Sequence, residues 1–434
     1  MTVEIELKFI ANATGIKALT DHLNGLSVQH IAPRHLTNIY YETEDAFLRQ
    51  HDMGLRIRSC DGKHEMTLKT AGTVVGGLHQ RPEFNVELDK PKLDLALLPK
   101  DVWPEGCKLP ALKKALNPLF STDFIRECWV VTHQESEIEI AIDQGEVKAG
   151  ELAEKIGEVE MELLKGNAAD LLDFARQLTA MNGLRLGSQS KAARGYRLAK
   201  GNPERLLKAL DVLIMPRKAT VEQGFVASLE MALSHWQYHE ELWLSGEPAA
   251  KGEVERAVAM LRQTLVLFGG LVPRKATVAL RECWSELEAK LSHAECDPHT
   301  LCYSSTYLSC KLALVTWIQG AEWQAFLNDK TKSKLSGSFK RFADIMLGRC
   351  AAELKDSFSQ QLTAEIYQDR LSRLEREVYS LYLLSGAYDA ELRQPYIEAW
   401  YALSQAIQHN QAVYVDSCRK LALAQPVFWL NGGA

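Results

Sequence analysis

The sequence predicts an α+β protein in two parts, a β-structure followed by an all-α bundle. Two observations carry this. From Thr2 to about Lys200 apolar and polar residues alternate mainly with a period of two, which is the strand period. After about Glu204 the apolar residues recur at i, i+3, i+4 and i+7, which is the period of one helix face. A length of 434 residues also exceeds what one compact core organises and favours two domains of roughly 200 residues each. The stretch LAKGNPERLLKAL around Gly201–Pro203 reads as a helix end, a turn and a new helix start. The expected division is therefore 1–200, a connection over 201–217, and a helical domain over 218–434.

Composition narrows the function classes. With 46% hydrophobic and 24% charged residues the chain is of globular type. A formal net charge of -6 argues against nucleic acid as a partner by bulk charge. No apolar run approaches the ~20 residues of a membrane-spanning helix, and the N-terminus shows no basic segment followed by an apolar one, so neither membrane nor leader is expected. The nine cysteines are scattered without CxxC spacing, which points to a reducing, cytoplasmic setting. Cys283, Cys296, Cys302 and Cys310 come nearest to a cluster and read as small core residues.

The first strand is MTVEIELKFI. Glu4, Glu6 and Lys8 share one face, and Val3, Ile5, Leu7 and Phe9 the other. Such a face either meets bulk water or lines the inside of a barrel or tunnel, where carboxylates can hold a divalent cation and an ammonium an anion. Further segments repeat the pattern. Thr14 to Leu23 reads as a short helix and HLTNIYYE (His35–Glu42) as a strand. LRIRSC carries Arg56 and Arg58 on one face, and HEMTLKT follows after the hairpin signal Asp61-Gly62 and carries Lys69. RPEFNVEL aligns Arg81, Glu83, Asn85 and Glu87. IRECWVVTH supplies Arg126, and IEIAIDQGEVKAG supplies Glu139 and Asp143 with a turn expected at Gln144-Gly145. GEVEMELL supplies Glu158, Glu160 and Glu162, Asn167 to Met181 reads as an amphipathic helix, and SQSKAARGYRLA closes the half with Ser188, Ser190, Lys191 and Arg194.

The charges sort by sign: Glu4, Glu6, Glu158, Glu160 and Glu162 against Arg56, Arg58, Lys69, Arg81 and Arg126. A sheet wet on one side would mix Lys, Thr, Gln and Ser freely. Facing rows of one sign repel unless opposite charge lies between them. A divalent metal facing the carboxylates and phosphate oxygens facing the guanidiniums would resolve both conflicts, since the Arg fork donates bidentately to phosphate.

These residues resemble a known family. Glu4-x-Glu6-x-Lys8 at the N-terminus is similar to the ExExK signature of the CYTH superfamily, the triphosphate tunnel metalloenzymes, and LRIR, TLK, the Arg81 strand, GEVEME and SKAARGY follow in that family's order over about residues 1–200. The resemblance implies an eight-stranded antiparallel closed β-barrel, or tunnel, with flanking helices. It implies Glu4, Glu6, Glu158 and Glu160 as acidic metal-side residues, Asp143 and Glu162 as further metal contacts, and Mg²⁺ or Mn²⁺ at two sites. Lys8, Arg56, Arg58, Lys69, Arg126 and Lys191 would grip phosphate oxygens, with Arg81 as an extra ligand. Glu4, Glu6 and Lys8 form the implied catalytic set. The activity implied is metal-dependent hydrolysis of inorganic triphosphate to diphosphate and phosphate. A nucleoside or thiamine triphosphatase, an adenylate cyclase, or a non-catalytic polyphosphate-binding scaffold are the alternatives.

In the second half, ATVEQGFVASLEMALSHWQYHEELWL, KGEVERAVAMLRQTLVLFGGL and RKATVALRECWSELEAKLSHAE are amphipathic helices joined by short loops, as in an antiparallel bundle. Placed after a CYTH-like domain, this half resembles a CHAD domain, which implies polyphosphate as a partner. It departs from that pattern: Arg262 fits a basic motif position, but its neighbours are Glu255, Ala259 and Met260, and the motif His has no counterpart near Gly252. Arg274, Lys275, Arg281 and the run DKTKSKLSGSFKR (Lys330, Lys332, Lys334, Lys340, Arg341) read as solvated charge. His235, His239, His293 and His299 read as surface or core histidines rather than a metal cluster. Trp236, Trp243, Trp284, Trp317, Trp323 and Trp400 read as core or groove aromatics.

Overall fold

A computed structural model describes residues 2–293 and 295–429. The chain groups into two compact units, Met1–Leu206 with Ser292–Gly320, and Leu207–Leu291 with Ala321–Ala434.

The first unit is built from β1 (Thr2–Ala11), α1 (Ala13–Asn24), β2 (Gln29–Glu42), α2 (Phe47–Gln50), β3 (Gly54–Cys60), β4 (Lys63–Lys69), β5 (Thr73–Val75), β6 (Leu78–Leu88), α3 (Leu109–Ala115), β7 (Asn117–His133), β8 (Ser136–Ala149), β9 (Leu152–Lys165), α4 (Ala168–Gln177), β10 (Leu184–Leu186) and α5 (Lys191–Ala199). The strands follow the order β1-β9-β8-β7-β2-β3-β4-β6, and β6 pairs back onto β1, so eight antiparallel strands close a barrel. Closure leaves these strands without a free edge. β5 and β10 are short additions on β6 and β1. The hairpin between β3 and β4 turns at Asp61 and Gly62, both at positive φ.

The turn expected at Gln144-Gly145 is not one. β8 runs through it, with Gly145 paired to Phe124 on β7 and to Ile156 on β9. The glycine serves close approach instead: a Cβ there would lie 2.1 Å from the Asp123 carbonyl oxygen.

On β3 and β4 the barrel's outer face is apolar and covered. Leu55, Ile57, Met66 and Leu68 pack under Leu93, Leu95, Leu98, Trp103 and Leu112 of the segment between β6 and β7. One end of the lumen is filled by Leu36, Tyr40, Phe120, Phe124, Val147, Ile156 and Tyr196, the last brought in by α5. Gly195 makes this docking possible, since a Cβ there would stand 2.1 Å from the Phe120 ring. The rest of the lumen is polar.

Leu207–Leu291 with Ala321–Ala434 is helical. The helices in chain order are α6 (Val221–Leu244), α7 (Ala250–Leu267), α8 (Val278–Leu291), α9 (Pro298–Cys302), α10 (Ser305–Gln319), α11 (Asp329–Leu335), α12 (Phe339–Phe358), α13 (Ala364–Leu384), α14 (Ala390–Gln408) and α15 (Ala412–Ala424). Of these, α9 and α10 belong to the barrel's unit. There α10 packs on α4 and β10, the Gly183 amide donates to the Tyr303 carbonyl at 2.7 Å, and the Ser305 amide donates to Asn182 at 2.9 Å. Helical periodicity places α10 in a bundle; its packing partners place it on the barrel's flank. The third expected helix extends over Ala294, which lies outside the described residues.

Trp236, Trp243, Trp284, Trp323 and Trp400 are buried in the second unit, and Trp317 in the first. Among the described residues no helix is long and apolar enough to cross a membrane. Among the described residues no disulfide joins any of the nine cysteines.

Candidate active site

Strand pairing determines which side chains share the lumen. Residues opposite one another on an antiparallel pair point to the same face. Across β4 and β6 the partners are Lys69 and Glu83; across β6 and β1, Arg81 faces Glu4, and then His79 faces Glu6. Across β1 and β9, Glu6 faces Glu162 and Lys8 faces Glu160. Across β9, β8 and β7 lie Glu158, Asp143 and Arg126. Across β2, β3 and β4 lie Asn38, Arg58 and Glu65, then Tyr40, Arg56 and Thr67. The period of two in each strand thus becomes stacked rings of polar groups.

These rings enclose a cavity of about 560 Å³. Glu4, Glu6, Lys8, Arg56, Arg58, Lys69, Arg81, Arg126, Glu160, Glu162 and Lys191 line it, which brings together all but two of the residues expected from the sequence. The two that do not line it are Asp143 and Glu158, both wholly buried.

Their surroundings explain this. Arg126 donates to both Asp143 oxygens at 2.7 Å and to Glu160 at 2.6 Å. The Lys191 ammonium lies 2.7 Å from Asp143 and 2.8 Å from both Glu158 and Glu160. Lys8 lies 2.5 Å from Glu160, 3.5 Å from Glu6 and 3.8 Å from Glu158, and Arg194 of α5 also donates to Glu158. Lys191 reaches this cluster because Ser190 caps α5 and sets the helix start at the barrel wall. Burial disfavours the charged forms, but Lys191, Lys8 and Arg126 outweigh it and hold Glu160 well below the usual carboxylate range. The Lys8 and Lys191 ammoniums are held up in turn, against burial, by Glu160, Glu158 and, respectively, Glu6 and Asp143. This wall is a closed ion-pair network.

The opposite wall is different. Arg58 donates to Asn38 at 3.0 Å, and Arg81 donates to the Asp52 carbonyl at 2.8 Å and to that of Thr70. Arg56 reaches the Tyr40 hydroxyl at 3.5 Å, and its buried Nε has no hydrogen-bond partner among the described residues. Burial, with Arg56 and Arg126 nearby, pushes Arg58 down to about 10. Burial and Arg49 lower Arg81. Among the described residues none of these three guanidiniums is in direct ion-pair contact with a carboxylate, although Glu83 and Glu4 act on Arg56 from farther off, and such a crowd of guanidiniums makes a site for an anion.

A third zone collects carboxylates. Burial raises Glu4 to about 7 in spite of its ion pair with Lys69, with Glu6 and Glu83 adding to the rise. Burial together with Glu4, Glu6 and Glu139 raises Glu162 to about 7. Glu6 moves the other way: burial acts to raise it, but Lys8, with Lys69 and His79, holds it down. Glu83 is pulled down to about 2 by Lys69, 3.0 Å away, and Arg56 against the effect of burial.

Sequence reasoning missed Asn38, Tyr40, Arg49, Glu65, Thr67 and His79. All but Asn38 line the cavity. Asn38 and Tyr40 lay in the alternation of HLTNIYYE, and Thr67 stands two residues before Lys69, so the strand period could have found them. Arg49, on α2, has no such signal.

The remaining candidates lie elsewhere. In the second unit the His235, His239 and Glu253 donor atoms lie within 4.8 Å of one another. His239 is fully engaged, however: its Nδ1 meets the His235 carbonyl at 2.8 Å and its Nε2 accepts from the Lys208 amide at 3.1 Å. His235 Nε2 meets Glu253 at 2.8 Å. This trio joins α6 to α7. Lys330, Lys332, Lys334 and Arg341 are exposed. Arg262 pairs with Glu288 of α8 at 2.7 Å.

Residues 2–196 match the CYTH domain family model, and residues 227–419 match the CHAD domain model. The chain joins a CYTH domain to a CHAD domain. An inorganic triphosphatase of Haemophilus influenzae is 42% identical over 199 residues, covering 46% of this chain and 55% of that relative, so the match spans little more than half of the relative's length. Among solved structures, a Hippeastrum adenylyl cyclase candidate with a dominant triphosphatase activity is 18% identical over 46% of this chain and 97% of its own, at a TM-score of 0.33. The CHAD domain of the plant Ricinus communis is 19% identical over 51% of this chain and 92% of its own, at a TM-score of 0.38. The CYTH domain contains the whole cavity.

Proposed function

We propose that the CYTH domain hydrolyses inorganic triphosphate to diphosphate and phosphate with the help of Mg²⁺ or Mn²⁺. The observation that carries this reading is the asymmetry of the lumen: an arc of guanidiniums with no carboxylate in direct ion-pair contact among the described residues faces a group of buried carboxylates that lack enough cations. A linear polyanion with a divalent cation supplies what each side lacks. The Haemophilus influenzae relative, an inorganic triphosphatase, supports the choice of substrate.

The carboxylate zone fits such a cation. Its donors are hard oxygens, which Mg²⁺ and Mn²⁺ prefer. Glu4 and Glu162, both near 7, show the mutual repulsion and burial that a bound cation would relieve. Glu4, Glu6 and Glu162 would hold it, with Asp143 and Glu158 confined to the ion-pair network. When bound, the cation would neutralise phosphate charge and acidify water.

The chain's own residues do the rest. Arg56, Arg58 and Arg81 donate to phosphate oxygens and hold the chain along the tunnel. Lys8, Lys69, Arg126 and Lys191 contribute positive charge from the ion-paired wall. Tyr40 orients Arg56, and Asn38 orients Arg58. Charge stabilisation and alignment then supply most of the acceleration, as phosphoryl transfer allows. A lumen carboxylate left free of the cation is suited to accept the proton of the attacking water.

A second reading concerns the CHAD domain. Arg274 and Arg281 lie near one another, while Arg262 is taken up by Glu288, and the resemblance to a CHAD domain implies an anionic chain such as polyphosphate as partner.

The test is phosphate release from tripolyphosphate, ATP, thiamine triphosphate and long-chain polyphosphate, each with Mg²⁺ or Mn²⁺. Tripolyphosphate should be turned over fastest. ATP turnover at an equal or higher rate would refute the inorganic substrate. Tight polyphosphate binding without turnover of any substrate would favour a scaffold.

A further inference from the structure

One ionisable side chain in the tunnel has no part in the hydrolytic reading above. His79 stands on β6 directly opposite Glu6 of β1, and Glu6 stands directly opposite Glu162 of β9. Such partners have Cβ atoms about 4.5–5.5 Å apart on one face. His79, Glu6 and Glu162 therefore form one lateral row across three neighbouring strands, and all three line the cavity. The row continues to Glu139 on β8.

The imidazole is prepared in an unusual way. Its Nε2 is buried and has no hydrogen-bond partner among the described residues. An imidazole nitrogen left without a protein partner, in one row with two carboxylates, is placed as histidines that bind metals are. Glu6 and Glu162 in the same row favour the cation.

We propose that His79 Nε2 is a nitrogen ligand of the divalent cation, completing a His79–Glu6–Glu162 donor set. This rests on the cation site proposed above. Glu6 lies 3.5 Å from Lys8 in this structure, so gathering the three donors onto one ion requires the Glu6 carboxylate to turn away from Lys8. The chemical consequence is selectivity. Imidazole suits Mn²⁺ better than Mg²⁺, which prefers oxygen donors alone.

Full-length protein loaded with Mn²⁺ is examined by electron spin echo envelope modulation, which detects ¹⁴N bound to the ion. Wild-type protein should show imidazole nitrogen coupling, converted to the ¹⁵N pattern by labelled histidine and lost in His79→Gln. Calorimetry with the metals alone should show Mn²⁺ affinity falling about tenfold or more in that variant, with Mg²⁺ affinity changed much less. If His79→Gln does not fold, as judged by circular dichroism, His79→Asn replaces it. A wild-type spectrum without nitrogen coupling overturns the inference, and so does coupling that survives both substitutions. Mn²⁺-dependent turnover of tripolyphosphate without nitrogen coupling refutes the ligand alone. Absence of turnover with either metal refutes the proposed function and leaves the spectra to judge His79.

Discussion

The two walls of the tunnel use the same residue types to opposite ends. On the β7–β9 wall Lys8, Arg126 and Lys191 are matched by Asp143, Glu158 and Glu160 at 2.5–2.8 Å. On the β3–β6 wall Arg56, Arg58 and Arg81 meet a hydroxyl, an amide oxygen and backbone carbonyls. The first wall is complete in itself and holds the barrel and α5 together. The second is left with excess charge, and that excess is what a ligand can use. Charge in a lumen is thus no guide to binding until its partners are counted.

The largest test of this contrast is Glu160→Gln. It withdraws the carboxylate shared by Lys8, Arg126 and Lys191, so the buried cations lose their common partner. Chemical denaturation should show a loss of about 3–5 kcal/mol, as for other broken buried pairs. Little change would mean that water already screens this wall.

Arg58→Met should behave oppositely. Arg58 is crowded by Arg56 and Arg126, so the melting temperature should hold or rise. Turnover of tripolyphosphate should fall about 100-fold, which corresponds to about 2.7 kcal/mol of transition-state stabilisation. A stability loss matching that of Glu160→Gln would erase the distinction between the walls.

The pH dependence of the metal-free protein sharpens it further. Glu4 and Glu162 have folded values near 7, above the ordinary 4.5. The folded state therefore binds more protons than the unfolded one between these values, and stability should fall as pH rises from about 4.5 to 7. The expected loss is at most about 3 kcal/mol for each of the two carboxylates. Glu83, at about 2, acts in the reverse sense: its contribution is lost as pH falls from about 4.5 toward 2. Mn²⁺ should remove the first slope and leave the second. Urea unfolding across pH with and without the metal reads both.

The smallest effect is expected outside the tunnel. Replacing exposed Lys330, Lys332 and Lys334 together by Gln should change stability by less than about 0.5 kcal/mol and leave tripolyphosphate turnover unchanged.

Much of this was legible in the residues. Glu4-x-Glu6-x-Lys8, Arg56-x-Arg58 and Glu158-x-Glu160-x-Glu162 declare their shared face through the strand period, and the closed barrel turns that face inward. The failures have physical causes. Gln144-Gly145 resembles a turn, but the glycine answers the approach of Asp123 and Phe124 from another strand. His79 sits outside the charged alternation, and only the pairing of β6 with β1 sets it beside Glu6. Periodicity recognises α10 as a helix and is blind to which element covers its apolar face.

The sequence by itself determined the strand period of the first half, the helical period of the second, the shared charged face of several strands and the resemblance to two domain families. These are local properties, written in spacing and residue type. The tertiary structure decided which charges neutralise one another. Asp143 and Glu158 are sealed beneath Arg126, Lys191 and Arg194, whereas Glu4, Glu162, Arg56 and Arg58 remain on the cavity wall. The reason is Coulombic: the worth of a buried charge depends on partners within a few ångströms, and strand register and helix docking supply those partners from distant parts of the chain.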